Sequence, residues 1–320
     1  MDTTEILKAL ERGERDRRPV EVAGLRFTSL DRVIWRDHGL TKGDLLRYYV
    51  RVAPVILRYI EGRPLMLKRY HEGAAGPSIV QQRASKPVPK GVRTAVVPVA
   101  EGEPTERYIG SFPTLLHAVQ QGTIEFHVWH SRIRSPNKPD WVVLDLDPSK
   151  GAGFSKVIRI AHALRERIEA LGLVAGVKTS GSRGLHLYIP TGGKASYDET
   201  AELARLLAEA VAAADPSTAT VERTIERRGY RVYVDHLQNA RGKTAVAPYS
   251  VRARPGAPVS MPIRWDEVDE HLEPRGFKMA EVPERLEREG DVWEGLFDKA
   301  RGDIRKALDE LRGEAPRRSA

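Results

Sequence analysis

The chain has 320 residues, of which 41% are hydrophobic and 30% charged, a composition typical of a globular protein with one large core or two smaller ones. The absence of cysteine excludes disulfides, zinc–thiolate sites and thiol nucleophiles, so any metal must bind oxygen or imidazole ligands, as Mg²⁺ and Mn²⁺ do. The net charge of +8 favours a polyanionic partner. No apolar run approaches the roughly 20 residues that span a bilayer, and no signal peptide is recognisable, so we expect a cytoplasmic protein without a membrane partner.

The first elements in chain order are a charged helical extension and an α/β segment. Residues 1–21 predict a short helix without recognisable chemistry. A strand at 25–30 precedes an apolar-periodic run from Thr41 to Ile56, which predicts one helix of three to four turns, capped by the Thr41 side chain. A second strand at 64–70 ends in basic residues.

A long stretch rich in Gly, Pro, Ser and Lys follows at 71–91 and predicts an exposed loop. A short helix at 115–122 and a strand at 123–129 come next. A basic, Pro-containing loop then leads into the segment at 141–148, around which the chemistry is organised.

That segment is a buried strand which carries two carboxylates near its end. Four apolar residues from Trp141 are followed by Asp145 and, after Leu146, by Asp147, and Pro148 cannot donate to a ladder, so the strand is expected to end there. Side chains alternate along a strand, so both aspartates point to the same face, with Cα atoms roughly 6.5 to 7 Å apart. Two adjacent carboxylates without a basic residue between them favour a bound cation.

The order of elements from 141 to 235 predicts an α+β fold, namely a βαββαβ core like that of RNA-recognition domains, with a mixed sheet flanked by helices. An N-terminal α/β subdomain is expected to pack against this core. The last strand alternates, with Tyr230, Val232 and Val234 predicted on the core face and Asp235 on the other face. Asp235 should therefore meet the first two aspartates on one sheet face. The elements of this core are a strand at 141–147, a helix at 154–171, strands at 173–178 and 185–189, a helix at 196–214 with a capping box at Ser196, and a strand at 229–235.

Three carboxylates on one face suit nucleotidyl transfer by a two-metal mechanism, in which the ions activate a 3′-hydroxyl and stabilise charge on the phosphate being displaced. The Gly-rich turn at 180–184 offers backbone N–H groups and Arg183 to a triphosphate. His186 follows on the next strand and faces the same way as the carboxylates in this arrangement.

These motifs resemble those of the archaeo-eukaryotic primase superfamily, and most closely the polymerase domain of bacterial ligase D. The similarity extends over roughly residues 22 to 300. It is carried by Asp145-Leu146-Asp147-Pro148, by Ser180-Gly181-Ser182-Arg183-Gly184-Leu185-His186-Leu187-Tyr188 and by Tyr233-Val234-Asp235, with further matches at Thr41-Lys42-Gly43-Asp44, Ile124-Glu125-Phe126-His127 and Tyr249-Ser250-Val251-Arg252.

The resemblance implies a template-directed nucleotidyltransferase that extends primers and fills gaps during DNA end joining. It implies two Mn²⁺ or Mg²⁺ ions, NTP or dNTP as substrate and a preference for ribonucleotides. The residues implied to act on the metals and the nucleotide are Asp145, Asp147 and Asp235 as catalytic metal ligands, and Ser180, Arg183 (where the family usually has Lys), His186, Arg228 and Arg252 as nucleotide-binding residues.

The resemblance also implies contacts with DNA. Arg32, Lys42 and Lys68 are expected to bind the 5′-phosphate beyond a gap, because a lysine in the first turn of a helix is unfavourable there unless an anion lies between it and free backbone N–H groups. Ile79 and Val80 stand where many relatives carry aromatic residues that stack on the template. The implied partners are double-stranded DNA ends or gaps, Ku, and a DNA ligase supplied in trans or by a domain absent from these 320 residues; the chain is expected to act as a monomer.

The domain boundaries predicted from these features are an extension at 1–21, a primase-polymerase domain at 22–300 and a tail at 301–320. Within the domain, the N-terminal subdomain covers 22–140, the catalytic core 141–264 and a helical part 265–300. A related primase-polymerase with a priming or replicative role is the nearest alternative. An aspartyl-phosphate phosphatase and a non-catalytic DNA-binding module are more remote.

Overall fold

A computed structural model describes residues 2–98, 103–297 and 302–314 of the chain. The chain divides into two compact units. The first comprises Met1–Trp129, Val246–Met261 and Arg275–Asp291, and the second His130–Ala245, Pro262–Pro274 and Val292–Ala320. In the part of the chain that is described, no helix has the length and apolar character needed to cross a membrane.

Helices α2, α4 and α6, whose bounds are given below, begin at residues with capping side chains. The predicted cap at Thr41 and the predicted capping box at Ser196 are both present, and Thr41 also forms a capping box with Asp44. The predicted helix at 41–56 is wrong in one respect, because it is two helices: Pro54 has no N–H to donate and begins a new helix in its first turn. The described α-helices are α1 (Thr3–Arg15), α2 (Lys42–Arg51), α3 (Ala53–Ile60), α4 (Phe112–Gln120), α5 (Phe154–Ala170), α6 (Tyr197–Ala214), α7 (Val282–Glu289) and α8 (Ile304–Glu314).

In the first unit, short strands pair locally, and one antiparallel sheet contains the order β9-β5-β6. The core beside this sheet includes Tyr49 of α2, whose ring meets Phe126 edge-on and whose hydroxyl donates to the carbonyl of Ile124. The strands of this unit are β1 (Val20–Val22), β2 (Leu25–Phe27), β3 (Val33–Trp35), β4 (Leu40–Thr41), β5 (Leu65–Arg69), β6 (Ile79–Gln81), β7 (Thr94–Val97), β8 (Thr105–Tyr108) and β9 (Thr123–Trp129).

The prediction of an uninterrupted loop at 71–91 is wrong. Residues Ile79–Gln81 form β6, which pairs antiparallel with β5 so that Leu67 lies opposite Gln81. Backbone pairing with an existing strand therefore outweighs the loop-like composition of this stretch.

The second unit contains a six-stranded sheet in the order β13-β14-β10-β12-β11-β16. Its pairs are antiparallel except for β13 with β14, so the sheet is mixed. Helices α5 and α6 contact each other and β10, and α8 packs on α6. The remaining strands are β10 (Trp141–Pro148), β11 (Gly176–Thr179), β12 (Leu185–Pro190), β13 (Ala219–Thr220), β14 (Val232–Asp235), β15 (Thr244–Val246), where the chain returns to the first unit, and β16 (Pro262–Ile263).

The last core strand is shorter than predicted. It begins at Val232, and Tyr230, predicted on the core face, is 71% exposed. Gly229 adopts φ +58°, a conformation that favours glycine, and it places Tyr230 in a turn ahead of the strand. The alternation that begins at Val232 still buries Val232 and Val234.

Candidate functional site

Three aspartates meet on neighbouring strands of the second unit. Asp145 and Asp147 lie two residues apart on β10, and β10 pairs antiparallel with β14 so that Asp145 stands directly opposite Asp235. Side chains opposite each other in such a pair have Cβ atoms about 4.5 to 5.5 Å apart. The sheet register therefore brings together the three carboxylates that the sequence singled out.

Asp145 is contacted by the histidine predicted beside it. Nε2 of His186 lies 3.4 Å from Oδ1 of Asp145, and β12 places His186 opposite Asp145 in the register. On the other side of the ring, Nζ of Lys178 lies 3.0 Å from Nδ1 of His186. In the tautomer with its proton on Nε2, His186 accepts from Lys178 through Nδ1 and donates to Asp145 through Nε2. Lys178 is fully buried.

Asp147 faces the Gly-rich turn. Nη2 of Arg183 donates to Oδ1 of Asp147 at 3.1 Å in a partly exposed ion pair. The turn can approach β10 because residue 184 is a glycine and has no Cβ. A Cβ at this position would lie only 1.9 Å from the carbonyl oxygen of Leu146. Ser180 organises the turn from within.

The prediction that the turn at 180–184 offers its backbone N–H groups to a ligand is wrong for two of these groups. The backbone N–H groups of Ser182 and Gly184 both donate to Oγ of Ser180 at 3.1 Å. The serine hydroxyl closes the turn locally, so these two donors are not presented to a ligand. Arg183 remains as a partly exposed cation at the turn.

Asp235 is held by the residues that follow it. Its Oδ1 accepts from the N–H of Leu237 at 2.8 Å, and its Oδ2 accepts from Nε2 of Gln238 at 3.1 Å. The hydroxyl of Tyr233 is 3.4 Å from Oδ1, and burial followed by the charge of Asp235 raises the pKa of Tyr233 to about 12. Arg228 stacks over the Tyr233 ring at 3.8 Å, which places it in the neighbourhood of Asp235.

The donor set suits a divalent metal chemically, since hard carboxylate oxygens are the ligands that Mg²⁺ and Mn²⁺ prefer. In the arrangement described here the carboxylates point to protein partners. Across residues 2–98, 103–297 and 302–314, no three His, Asp or Glu side chains converge closely enough to hold an ion.

A second charged cluster lies in the first unit around Glu125, which is only 3% exposed. Its carboxylate lies 3.2 Å from Nε of Arg252 and 3.6 Å from Nζ of Lys68, and it accepts from the hydroxyl of Tyr70 at 3.1 Å. His127 is 3.3 Å away. Lys68 and Arg252, which the sequence assigned to different sites, are thus partners of one carboxylate.

Burial and neighbouring charges shift the pKa values of three residues in this cluster. Burial favours a neutral Glu125, but the hydrogen bond from His127 and the charges of Arg252 and Lys68 outweigh it and hold the pKa of Glu125 far below its usual range. Burial lowers the pKa of His127 to about 4. Burial and Glu125 together raise the pKa of Tyr70 to about 12. A cavity of about 870 Å³ beside the cluster is also lined by basic residues of the same unit, Arg36 and Arg254.

Arg32 and Lys42, two of the residues predicted to bind a 5′-phosphate, are joined by a backbone hydrogen bond. The N–H of Lys42 donates to the carbonyl of Arg32 at 2.9 Å. Lys42 is 4% exposed, and burial together with the charge of Arg32 lowers its pKa to about 8. Two cations are thus held together at the start of α2.

The prediction of free backbone N–H groups at the start of α2 is wrong. The N–H of Lys42 is used by Arg32, the N–H of Gly43 donates to the carbonyl of Leu30, and the N–H of Asp44 donates to the hydroxyl of Thr41. Any anion must therefore bind the two side chains and not the helix terminus.

The N-terminal helix has a role that the sequence did not reveal. Glu14 of α1 accepts from the Thr41 hydroxyl at 2.5 Å and forms an ion pair with Arg47 of α2. A Cβ on Gly43 would come within 2.6 Å of the Glu14 carboxylate, so glycine lets this side chain reach the first turn of α2 without shifting. Glu14 therefore fixes the first turn of α2, which carries Lys42.

Ile79 and Val80 are 55% and 52% exposed on β6. Their position on the surface of the first unit is compatible with the predicted contact to a template. Glu125, Lys178 and Gln238 were not singled out from the sequence: Glu125 lies within the quoted motif at 124–127, Lys178 lies two residues before Ser180, and Gln238 lies three residues after Asp235.

Comparison with known proteins supports the family resemblance that these motifs indicate. The family model of the LigD primase-polymerase domain matches residues 41–293. The chain belongs to the LigD primase-polymerase domain family. The resemblance that the motifs indicated is therefore confirmed.

LigD proteins of several bacteria are similar over most of this chain. The protein of Bacillus subtilis is 33% identical over 267 residues, which are 83% of this chain and 43% of that protein. The protein of Mycobacterium tuberculosis H37Rv is 34% identical over 278 residues, which are 84% of this chain and 36% of that protein. Both are described as non-homologous end joining proteins. The chain thus spans less than half the length of these relatives.

A solved structure of the polymerase domain from Mycobacterium tuberculosis ligase D in complex with DNA matches with a TM-score of 0.81 and 33% identity. The match covers 86% of this chain and 99% of the other. The predicted α+β class is confirmed by this match.

Proposed function

We propose that the chain is a template-directed nucleotidyltransferase that extends a DNA primer and fills gaps during end joining. The observation that carries this proposal is the register of β10 and β14, in which Asp145 faces Asp235 while Asp147 shares their sheet face. Membership of the LigD primase-polymerase domain family supports the same activity. The DNA in the related polymerase-domain structure supports DNA as the substrate.

We also propose that the core has the βαββαβ topology of RNA-recognition domains. The strand order β14-β10-β12-β11, with the two helices α5 and α6 in the connections, supports it. The boundaries of the extension, the primase-polymerase domain and the tail, at 1–21, 22–300 and 301–320, stay predictions. Within the proposed tail, residues 304–314 form α8.

Asp145, Asp147 and Asp235 are the proposed ligands of two divalent ions, Mn²⁺ or Mg²⁺. When bound, such ions supply activation of a 3′-hydroxyl and stabilisation of charge on a phosphate. The protein contributes the fixed spacing of the carboxylates. His186 contributes a hydrogen-bond donor beside Asp145.

Ser180, Arg183 and His186 are the proposed nucleotide-binding residues of the second unit. Arg183 is suited to a triphosphate because it is partly exposed and its present partner, Asp147, is a proposed metal ligand. Arg228 supports the site from the Tyr233 ring. Arg252 belongs to the first unit, where its pairing with Glu125 orients its guanidinium.

A 5′-phosphate of DNA is the proposed ligand of Arg32 and Lys42. The depressed pKa of Lys42 supports this, because its causes, burial first and then the charge of Arg32, are both offset when an anion binds beside the two cations. Lys68 was grouped with them in the sequence analysis, but its pairing with Glu125 favours a place in the same cluster as Arg252. Ile79 and Val80 are proposed to contact the template by apolar packing.

Ku and a DNA ligase are proposed partners, on the strength of the end-joining proteins to which the chain is similar. Use of ribonucleotides in preference to deoxyribonucleotides is proposed from family membership. An isolated, monomeric chain should be sufficient for extension.

Primer extension tests the proposal directly. The chain with Mn²⁺ should extend a primer across a gapped template, faster with NTP than with dNTP. Asp145→Ala, Asp147→Ala and Asp235→Ala should each abolish extension while preserving the folded state. An Asp235→Ala variant with normal extension and metal dependence would contradict the three-carboxylate site. Synthesis on an unprimed template would point to a priming role.

A further inference from the structure

Beyond the end of β14, the backbone of β10 at Val143 is hydrogen-bonded by the side chain of Asn239 instead of by a neighbouring strand. Oδ1 of Asn239 accepts from the N–H of Val143 at 2.8 Å, and Nδ2 of Asn239 donates to the carbonyl of Val143 at 2.7 Å. Because β14 ends at Asp235, opposite Asp145, the next position along this edge would pair Val143 with residue 237. The Asn239 amide takes the place of that missing strand residue.

The same amide fixes the turn that follows Asp235. Nδ2 of Asn239 also donates to the carbonyl of His236 at 2.8 Å, and Asn239 is fully buried in the 3-10 helix Leu237–Asn239. Both oxygens of Asp235 accept hydrogen bonds from this helix, from the N–H of Leu237 and from Nε2 of Gln238. The orientation of the Asp235 carboxylate therefore depends on a helix that is anchored to β10.

We propose that Asn239 is a positioning residue for Asp235: by binding Val143 of β10, it sets the orientation of the Asp235 carboxylate relative to Asp145. Gln238 completes the arrangement as the direct donor to Asp235. This inference rests on the proposed function, in which Asp145 and Asp235 act on the same ions. Asn239 itself touches neither nucleotide nor metal in this proposal.

The chemistry explains why an amide is needed. The backbone of Val143 presents one donor, its N–H, and one acceptor, its carbonyl, and only a side chain with both an acceptor and a donor satisfies the pair. Aspartate lacks the donor and would also add charge beside the carboxylates. Leucine has a similar volume but leaves both Val143 groups without a partner.

The test compares Asn239→Leu and Gln238→Ala with the wild type and with Asn137→Ala, a control at an exposed asparagine. Mn²⁺ binding is measured by the electron paramagnetic resonance signal of the free ion, and extension is measured as a function of Mn²⁺ and of nucleotide. Loss of an outer-shell partner typically weakens metal affinity about 10- to 100-fold, so Asn239→Leu should raise the half-saturating Mn²⁺ concentration by at least about tenfold. Its KM for nucleotide at saturating Mn²⁺ should stay within about twofold of the wild type, and Asn137→Ala should behave as the wild type.

Several outcomes would overturn the proposal. The proposal is wrong if a folded Asn239→Leu variant binds Mn²⁺ like the wild type. It is also wrong if the KM for nucleotide of this variant rises as much as its Mn²⁺ requirement. If Asn239→Leu does not fold, Gln238→Ala decides, because this side chain is partly exposed, and unchanged Mn²⁺ binding then contradicts the proposal. A wild-type chain that neither binds Mn²⁺ nor extends primers refutes the proposed function itself.

Discussion

Arg183 and Asp147 form an ion pair in which Nη2 lies 3.1 Å from Oδ1. The pair links the nucleotide side of the proposed site to its metal side, because one partner is a proposed triphosphate ligand and the other a proposed metal ligand. Both side chains are more than a third exposed, so the pair itself contributes little to stability. Its proposed role is an exchange. The nucleotide takes the place of Asp147 as the partner of Arg183, and the metal ion takes the place of Arg183 as the partner of Asp147.

The first prediction follows from this exchange. Arg183→Met should raise the KM for nucleotide about tenfold or more, since a hydrogen bond to a charged group is worth about 1.5 to 3 kcal/mol. The same variant should need less Mn²⁺ for half-maximal extension, by up to about fivefold, because Asp147 no longer has a competing cation. Steady-state extension at varied nucleotide and varied Mn²⁺ separates the two effects.

Arg183→Lys is the matched control for that experiment. It keeps the positive charge and should fall between the wild type and Arg183→Met in both measurements. An Mn²⁺ requirement that rises in Arg183→Met would show that the ion pair assists metal binding, contrary to the exchange.

The second prediction concerns the buried lysine behind His186. Lys178→Met removes the donor to Nδ1 and leaves the His186 ring free to adopt its other tautomer. Because such orienting partners are typically worth 10- to 100-fold, the KM for nucleotide should rise about tenfold. Thermal stability should hold or increase, since methionine fills similar space without a buried charge.

The NMR signals of the His186 ring nitrogens provide the second measurement. In the wild type, Nδ1 should give the signal of an unprotonated nitrogen, and in Lys178→Met the two tautomers should mix. A variant with the wild-type tautomer and an increased KM would mean that Lys178 acts on the nucleotide by another route.

The third prediction is a pH dependence of stability from the Glu125 cluster. The pKa of His127 is lowered to about 4 by burial, so between pH 6.5 and 4 the unfolded chain binds a proton at this residue and the folded chain does not. The free energy of unfolding should therefore decrease as the pH falls through this range, by a contribution on the order of 3 kcal/mol. Glu125, whose pKa is depressed, adds a further loss below about pH 4.5.

Urea unfolding between pH 7 and 4 measures this slope. His127→Gln should flatten it, whereas His271→Gln, at a histidine that is 84% exposed, should leave it unchanged. Lys68 and Arg252 are cations that face the same cluster. A slope that survives in His127→Gln would assign it to other groups.

The sequence predicted those parts of the site that depend on local periodicity. Alternation along β10 placed Asp145 and Asp147 on one face, and the pairing of the first and last core strands brought Asp235 to them. The helix caps at Thr41 and Ser196 follow from short-range chemistry of the same kind.

Contacts between distant residues could not be predicted in this way. Asn239 binds a backbone group 96 residues earlier, and Glu14 binds Thr41, the capping residue of another helix. Gly43 donates to Leu30, a partner that no local pattern reveals, and for this reason the helix start was wrongly expected to offer free N–H groups. Tyr230 was misplaced because a strand-like alternation continued into a turn that Gly229 begins.

The last prediction joins Arg32 and Lys42 to a downstream 5′-phosphate. Binding to gapped DNA should be tighter when the downstream strand carries this phosphate, and Arg32→Met together with Lys42→Met should abolish the gain without impairing simple primer extension. Because the pKa of Lys42 is lowered to about 8, the residue is mostly charged at pH 7 and mostly neutral at pH 9 in the DNA-free protein. The gain should therefore shrink as the pH rises through this interval. Fluorescence anisotropy with paired phosphorylated and unphosphorylated gaps measures it.

Single variants and a control make the prediction specific. Burial lowers the pKa of Lys42 most and the charge of Arg32 adds to it, so in Arg32→Met the remaining gain should persist to a higher pH than in the wild type. Lys42→Met should leave a smaller gain that no longer varies between pH 7 and 9, because an arginine stays protonated throughout. Lys8→Met, at an exposed lysine of α1, should change neither quantity. If phosphorylated and unphosphorylated gaps bind the wild type equally at pH 7, the pocket does not exist and gap filling loses its structural support.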